Sequence, residues 1–269
     1  MTDQLNIAIA GIGGRMGRQL VAAGLDRGHL ISGGSEAAGS ELLGLVLRDV
    51  FKGLTSAAKV SSDVPTAASG AHVWVDFTAP TATLKALDTL KSSGVKAMVV
   101  GTTGFTAEQE RAFAEAAEQL AIVKAGNFSL GINLLEALVK QAAARLGDDW
   151  DIEVLETHHR RKLDAPSGTA LMLGEAAAEG RGGDLSCLKS APYDGPDAKR
   201  GAGKIGFAVR RSGGVIGEHE VTFGSDAELV SLSHSAIDRS VFAYGAIRAC
   251  EWVVSQPPGL YDMSDVLGL

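Results

Sequence analysis

Apolar and polar positions in the first half of the chain follow two alternating periods. Short apolar runs at residues 6–10, 30–32, 73–77, 96–100 and 121–124, bounded by glycine, proline or polar clusters, read as buried strands. Helical patterns fill the gaps: one from about Arg15, one from about Pro80 to Ser92, and one opened by Thr106 with Gln109 three residues on, the spacing of a capping box. Each parallel crossover needs a covering helix, so this alternation predicts an α/β fold with a Rossmann-like, doubly wound parallel sheet.

Near residue 129 the pattern changes. A helix over about residues 131–146 is followed by β-branched stretches at 152–157, 205–211, 215–223 and 229–233, with Gly213-Gly214 as a hairpin turn signal between two of them. Another helix opens at Pro166-Ser167-Gly168-Thr169 and runs to about Glu179. The spacing predicts a second, α+β part built on an antiparallel or mixed sheet. A last helix over about residues 240–255 precedes Pro257-Pro258 and a short tail.

Composition narrows the function. With 269 residues, 45% of them hydrophobic and 21% charged, the chain is long enough for two modest cores. Its net charge of -7 argues against a nucleic-acid surface and makes any basic cluster informative. The first six residues carry an acid and no base, and no apolar run reaches membrane-spanning length, so neither a signal peptide nor a membrane partner is expected. Cys187 and Cys250 lack metal or redox spacing, which points to a reducing, cytoplasmic setting and to no metal site. Thirty-four glycines against three tryptophans and three tyrosines imply many tight loops, as backbone phosphate binding requires.

One such loop, Gly11-Ile12-Gly13-Gly14-Arg15-Met16-Gly17, lies between the first strand and the first helix, where small residues let backbone N–H groups approach a pyrophosphate. The strict dinucleotide fingerprint is not met, because Met16 holds its third glycine position, and a loop of this kind also serves as a plain strand-to-helix turn. Glu36, about twenty residues on at the end of the second strand, can accept from adenine-ribose hydroxyls or stand as a solvated loop acid. Gly101-Thr102-Thr103-Gly104 and Ala125-Gly126-Asn127-Phe128-Ser129 follow later strands of the same expected sheet, where ligands collect. Asn127 is suited to a nicotinamide amide, although each segment also reads as a turn and cap.

The run from Glu156 to Thr169 holds five potential cations, His158, His159, Arg160, Arg161 and Lys162, in an acidic chain and so should bind an anion. Backbone N–H groups of Gly168 and Thr169 at the following helix start can hold a carboxylate. His158 can exchange a proton near neutral pH, and Lys162 supplies a fixed positive donor. Each also has an ordinary structural reading: a packed histidine, a solvated arginine face, an Asp164 ion pair.

At these residues the chain resembles the 4-hydroxy-tetrahydrodipicolinate reductase family along nearly its whole length. The resemblance rests on Gly11 to Gly17, Asp76-Phe77-Thr78, Gly101-Thr102-Thr103-Gly104-Phe105, Asn127-Phe128-Ser129, the run from His158 to Thr169, and Ile216-Gly217-Glu218-His219. It implies that His158 acts as proton donor or acceptor and Lys162 as proton donor, with His159, Gly168 and Thr169 binding the carboxylates of a cyclic dicarboxylate substrate. The implied reaction, in lysine biosynthesis via diaminopimelate, takes NADH or NADPH and reduces the hydroxy-imine with loss of water. The implied cofactor contacts are Gly11, Ile12, Gly13, Gly14, Arg15, Met16, Glu36, Gly101, Thr102, Thr103, Ala125, Gly126, Asn127 and Phe128.

The resemblance also implies a dinucleotide-binding domain of residues 1–128 joined by 240–269, a substrate-binding and oligomerisation domain of residues 129–239, and a homotetramer. Two departures bear on the cofactor. Ala37 stands where many NADPH-accepting relatives carry a basic side chain, which favours NADH, and Ala79 stands where some have arginine. Arg15 keeps a 2′-phosphate contact open. An aspartate-type dehydrogenase would need a different motif at residues 158–169, and an NAD(H)-binding regulator without turnover would not need His158 or Lys162.

Overall fold

Strands β1 (Asn6–Ala10), β3 (Val73–Asp76), β4 (Ala97–Val100) and β5 (Ala121–Lys124) are apolar on both faces because both are covered. Ile7, Ile9, Val75, Val99 and Val123 face one core, while Ala8, Trp74, Met98 and Ile122 face the other. The first core is closed by α1 (Arg15–Asp26) and α9 (Ser240–Val253), the second by α4 (Pro80–Leu90) and α5 (Ala107–Ala116). With β2 (Leu30–Ser35) and β10 (Gly259–Tyr261) they form a six-stranded, all-parallel sheet of order β10-β5-β4-β3-β1-β2. Two short helices, α2 (Leu47–Val50) and α3 (Val64–Ala67), precede β3, and α10 (Met263–Leu267) ends the chain. The expected capping box of Thr106 and Gln109 is present at α5.

This computed structural model describes residues 3–269, which divide into two units: one running up to Ser129 and resuming over Ser240–Gly268, the other Leu130–Arg239. The second unit comprises α6 (Leu130–Arg145), β6 (Asp151–His158), α7 (Gly168–Gly180), α8 (Leu185–Leu188), β7 (Ile205–Arg211), β8 (Glu218–Gly224) and β9 (Leu229–Ser235). Its sheet is mixed, of order β7-β6-β8-β9, with β6 parallel to β7 and antiparallel to β8.

Two expectations need correction. The Gly213-Gly214 turn is real, with Gly213 at φ 49°, but it does not close a hairpin, because β6 lies between β7 and β8 and pairs with both. β6 carries the most buried residues of the four strands and so takes an interior place, where both its edges are hydrogen-bonded. Residues 215–217 belong to that connection and the strand begins at Glu218. Likewise β2 continues three residues past Ser32, through Gly33 and Gly34. A side chain at Gly33 would meet the Ala67 carbonyl oxygen at 1.8 Å, so glycine here permits close backbone approach and does not break the strand.

Candidate active site

Because the sheet is parallel, the loops after β1, β3, β4 and β5 leave from one edge. The order in which strands are added also reverses between β1 and β3, which is where open sheets of this kind bind ligands. Gly11 sits at φ 59° and Gly14 caps α1 without any side-chain acceptor for the helix's first N–H groups. A Cβ at Gly17 would lie 2.3 Å from the Gly11 carbonyl oxygen, so the helix start can press against the loop only with glycine there. Gly13 donates its N–H to Glu36 Oε1 at 2.6 Å, which brings the acid after β2 onto the glycine loop. This cradle of small residues fits a dinucleotide: uncapped N–H donors for the pyrophosphate and a carboxylate acceptor for the ribose.

The other predicted cofactor residues are distributed around it. Arg15 is exposed, and Met16 is partly packed against the core. Ile12 and Phe128 are fully buried, so only their backbone could reach a ligand. Phe128 packs on Phe77 with ring centroids 5.1 Å apart, and Asn127 Oδ1 accepts from Ser129 N–H at 2.8 Å, closing a turn beside Ala125 and Gly126.

Buried Asp76 joins two of these loops. Its Oδ1 accepts from Thr78 N–H and Oγ1 (3.0 and 2.6 Å), Thr83 Oγ1 (3.0 Å) and Thr102 Oγ1 (3.4 Å). Thr103, next in the chain, is exposed.

In the second unit the site grows from the end of β6. Ile152 and Val154 fill the core, and the same alternation carries Glu156 and His158 onto that buried face. Each Glu156 oxygen accepts twice: Oε2 from His158 Nδ1 (2.5 Å) and Arg211 (2.8 Å), Oε1 from Arg211 (2.9 Å) and the Ser167 N–H (3.0 Å). Burial pushes the Glu156 pKa up, but the bonds from Arg211, His158 and Ser167 outweigh it and hold the carboxyl below its ordinary range. His158 Nε2 faces Gly217, where an added Cβ would stand 3.1 Å away, so glycine there leaves room beside that nitrogen.

His219 stacks edge-on against His158, centroids 5.1 Å apart, and its Nε2 contacts Ser167 Oγ at 3.2 Å. Desolvation, with the neighbouring His158, pushes the His219 pKa down to about 4. Lys162 Nζ lies 2.8 Å from Asp164 Oδ2, and this contact holds the Asp164 carboxyl below its usual range. Burial and the charges of Arg161 and Arg239 lower the His159 pKa. Ser167 caps α7 by accepting from Ala170 N–H, which sets Gly168 and Thr169 at the first two helical positions.

The predicted residues thus form two groups, each within its own unit. The sequence reading assigns no role to Asp76, Glu156, Arg211, His219 or Arg239. For Glu156 the sequence does hold a signal, an acid on the buried phase of a strand. Among the described residues no cluster of His, Cys, Asp and Glu is placed to hold a metal ion, and no helix is long and apolar enough to cross a membrane.

A doubly wound parallel sheet with this glycine loop, in a chain whose second unit is a mixed sheet carrying His158 and Lys162, defines an NAD(P)H-dependent oxidoreductase. Residues 5–128 match the family model described as dihydrodipicolinate reductase, N-terminus, and residues 131–267 match its C-terminus counterpart. The 4-hydroxy-tetrahydrodipicolinate reductases of Caulobacter vibrioides and Parvibaculum lavamentivorans are 48% and 46% identical to it, over 100% of this chain and 99% and 100% of theirs. The dipicolinate-bound dihydrodipicolinate reductase from Paenisporosarcina sp. TG-14 superposes with a TM-score of 0.79 at 26% identity, covering 97% of this chain and 99% of that one. An amine dehydrogenase from Mycobacterium smegmatis, at TM-score 0.65 and 14% identity over 95% and 94% of the two chains, shares the fold. The chain belongs to the dihydrodipicolinate reductase family.

Proposed function

We propose that the protein reduces 4-hydroxy-tetrahydrodipicolinate to tetrahydrodipicolinate with loss of water, in the diaminopimelate route to lysine. The observation that carries this reading is the buried His158, held by Glu156 at Nδ1 and left room beside Nε2, with Lys162 four residues on and a helix start at Gly168 and Thr169. Dipicolinate, the ligand of the Paenisporosarcina enzyme, is an aromatic dicarboxylate of the same outline as the substrate.

The nicotinamide supplies hydride when bound, and the protein does the rest. The N-terminus of α7 and His159 take the substrate carboxylates, His159 through a hydrogen bond and the helix start by offsetting negative charge where they dock. Loss of water leaves a conjugated imine; after the ring carbon gains hydride, a proton must reach the adjacent position, and His158 Nε2 or Lys162 Nζ delivers it. The exposed Asp164 pairs with Lys162 across a solvated contact of small strength, so Lys162 can exchange that partner for a substrate carboxylate.

Gly11, Ile12, Gly13, Gly14, Arg15, Met16, Glu36, Gly101, Thr102, Thr103, Ala125, Gly126, Asn127 and Phe128 form the cofactor cradle. Glu36 beside exposed Ala37 favours NADH, since a 2′-phosphate would meet a carboxylate and no cation from residue 37. The outer face of the four-stranded sheet, with exposed Ala208, Arg210, Ser231 and Ser233, supports assembly into a homotetramer. The unpaired Cys187 and Cys250 support a cytoplasmic setting.

The test is product formation. Purified protein, NADH and the hydroxy-imine generated in situ should yield tetrahydrodipicolinate by mass spectrometry in proportion to NADH consumed. NADH consumption without that product would exclude the reaction.

A further inference from the structure

Glu156 is fully buried behind His158, and its carboxylate bonds His158, Arg211 and the N–H of Ser167. Its two oxygens receive four hydrogen bonds, and all four partners are donors or must act as donors. Arg211 has no acceptor, Ser167 offers a backbone N–H, and a carboxyl held ionised cannot donate to His158. The hydrogen on the His158 ring therefore sits on Nδ1, and Nε2 is the nitrogen that exchanges protons with a ligand.

The Ser167 N–H bond has a separate consequence. Ser167 is the N-cap of α7, so the same carboxylate that orients His158 also fixes the start of the helix bearing Gly168 and Thr169. Arg211 completes the arrangement: besides its bidentate grip on Glu156 it donates to the Asp164 carbonyl oxygen at 2.7 Å, tethering the loop that carries Lys162.

We propose that Glu156 is a positioning residue that, through Nδ1 of His158 and the N–H of Ser167, fixes the proton-transferring nitrogen and the carboxylate-binding helix start relative to each other, with Arg211 as its anchor. The proposal rests on the reading of His158 as the proton-exchanging group. It adds a reason why transfer needs no rearrangement: when Nε2 gives up its proton, the ring is left in the Nδ1–H form, already bonded to Glu156. A merely structural ion pair would stabilise the fold without setting the histidine's tautomer.

The experiment is ¹⁵N NMR of the histidine rings in the full protein labelled at its six histidines, with His158 assigned by its loss in His158→Gln. In the wild type, neutral His158 is expected as the Nδ1–H tautomer. In Glu156→Gln an amide NH₂ facing Nδ1 turns that nitrogen into an acceptor, so the ring shifts toward Nε2–H. Turnover then falls by about 10²-fold or more while NADH affinity stays within about twofold, as when a histidine is left in the wrong tautomer. A wild-type Nε2–H tautomer would overturn the proposal whether or not any variant folds, and so would an unchanged tautomer and turnover in Glu156→Gln. If His158→Gln retains full turnover while the wild-type ring is Nδ1–H and shifts in Glu156→Gln, the positioning geometry stands and the proton-transfer role of His158 fails instead.

Discussion

Glu36 Oε1 accepts the backbone N–H of Gly13 at 2.6 Å, so the carboxylate after β2 rests directly against the glycine loop after β1. A carboxylate in that place offers ribose hydroxyls an acceptor and repels a 2′-phosphate. Replacing it in Glu36→Gln removes one charge-assisted bond, typically about 1.5–3 kcal/mol. NADH affinity should fall by about tenfold or more while NADPH affinity holds or improves, measured by fluorescence titration of both nucleotides. An unchanged ratio of the two affinities would remove Glu36 from cofactor selection.

Gly17 closes the same loop from the helix side. In Gly17→Ala the new methyl would stand 2.3 Å from the Gly11 carbonyl oxygen and 2.6 Å from that of Ile12, both rigid backbone atoms. Helix α1 must move away from the loop, and we expect NADH binding to weaken by more than tenfold together with a lower Tm. Calorimetric titration showing wild-type affinity would mean the loop does not hold the pyrophosphate.

Asp76 offers a subtler route to the cofactor site. Asp76→Ala strands the Thr78 and Thr102 hydroxyls without their acceptor, at a cost of about 1–3 kcal/mol for each unsatisfied group, while Thr83 keeps the Ala79 carbonyl oxygen. Thermal denaturation should show a clear loss of stability. The shape-conserving Asp76→Asn keeps an acceptor oxygen and should be far milder in Tm while still raising the Kd for NADH, because Thr102 loses its charged partner. Equal losses of stability in the two variants would contradict a role for the buried carboxylate as shared acceptor.

His219 makes a prediction about pH. Its folded pKa of about 4 lies below the unfolded value of 6.5, so between these limits the unfolded chain takes up a proton that the folded protein refuses. Stability therefore rises with pH through this window and levels above it; on falling from neutrality to about pH 4 the loss from this group is on the order of 3 kcal/mol. His219→Gln should flatten that slope in Tm measured against pH. A variant with the wild-type slope would assign the acid sensitivity to other groups.

The strand–helix alternation of residues 6–124 was legible because period and covering helices agree there, and Thr106 with Gln109 announced the capping box that is present. Strand β10 was not legible: three residues after Pro257-Pro258 carry no periodicity, and only pairing with Ala121, Ile122 and Val123 makes them a strand. Gly213-Gly214 gave the turn but not the neighbour, since strand order depends on which strand buries most, a property of the assembled sheet. The cations of residues 158–162 were legible as a candidate anion site. Buried Glu156 and its half-buried partner Arg211, lying in two different strands, were hidden within runs that read as plain β-structure.

The most direct test is nicotinamide oxidation by the purified protein, with substrate supplied by the preceding synthase from pyruvate and aspartate semialdehyde, for the wild type and for His158→Ala. We predict synthase-dependent oxidation, faster with NADH than with NADPH. In His158→Ala it should fall by about 10²-fold or more at unchanged NADH affinity. No oxidation with either nucleotide, while NADH still binds, would contradict the account and leave a nucleotide-binding protein without turnover.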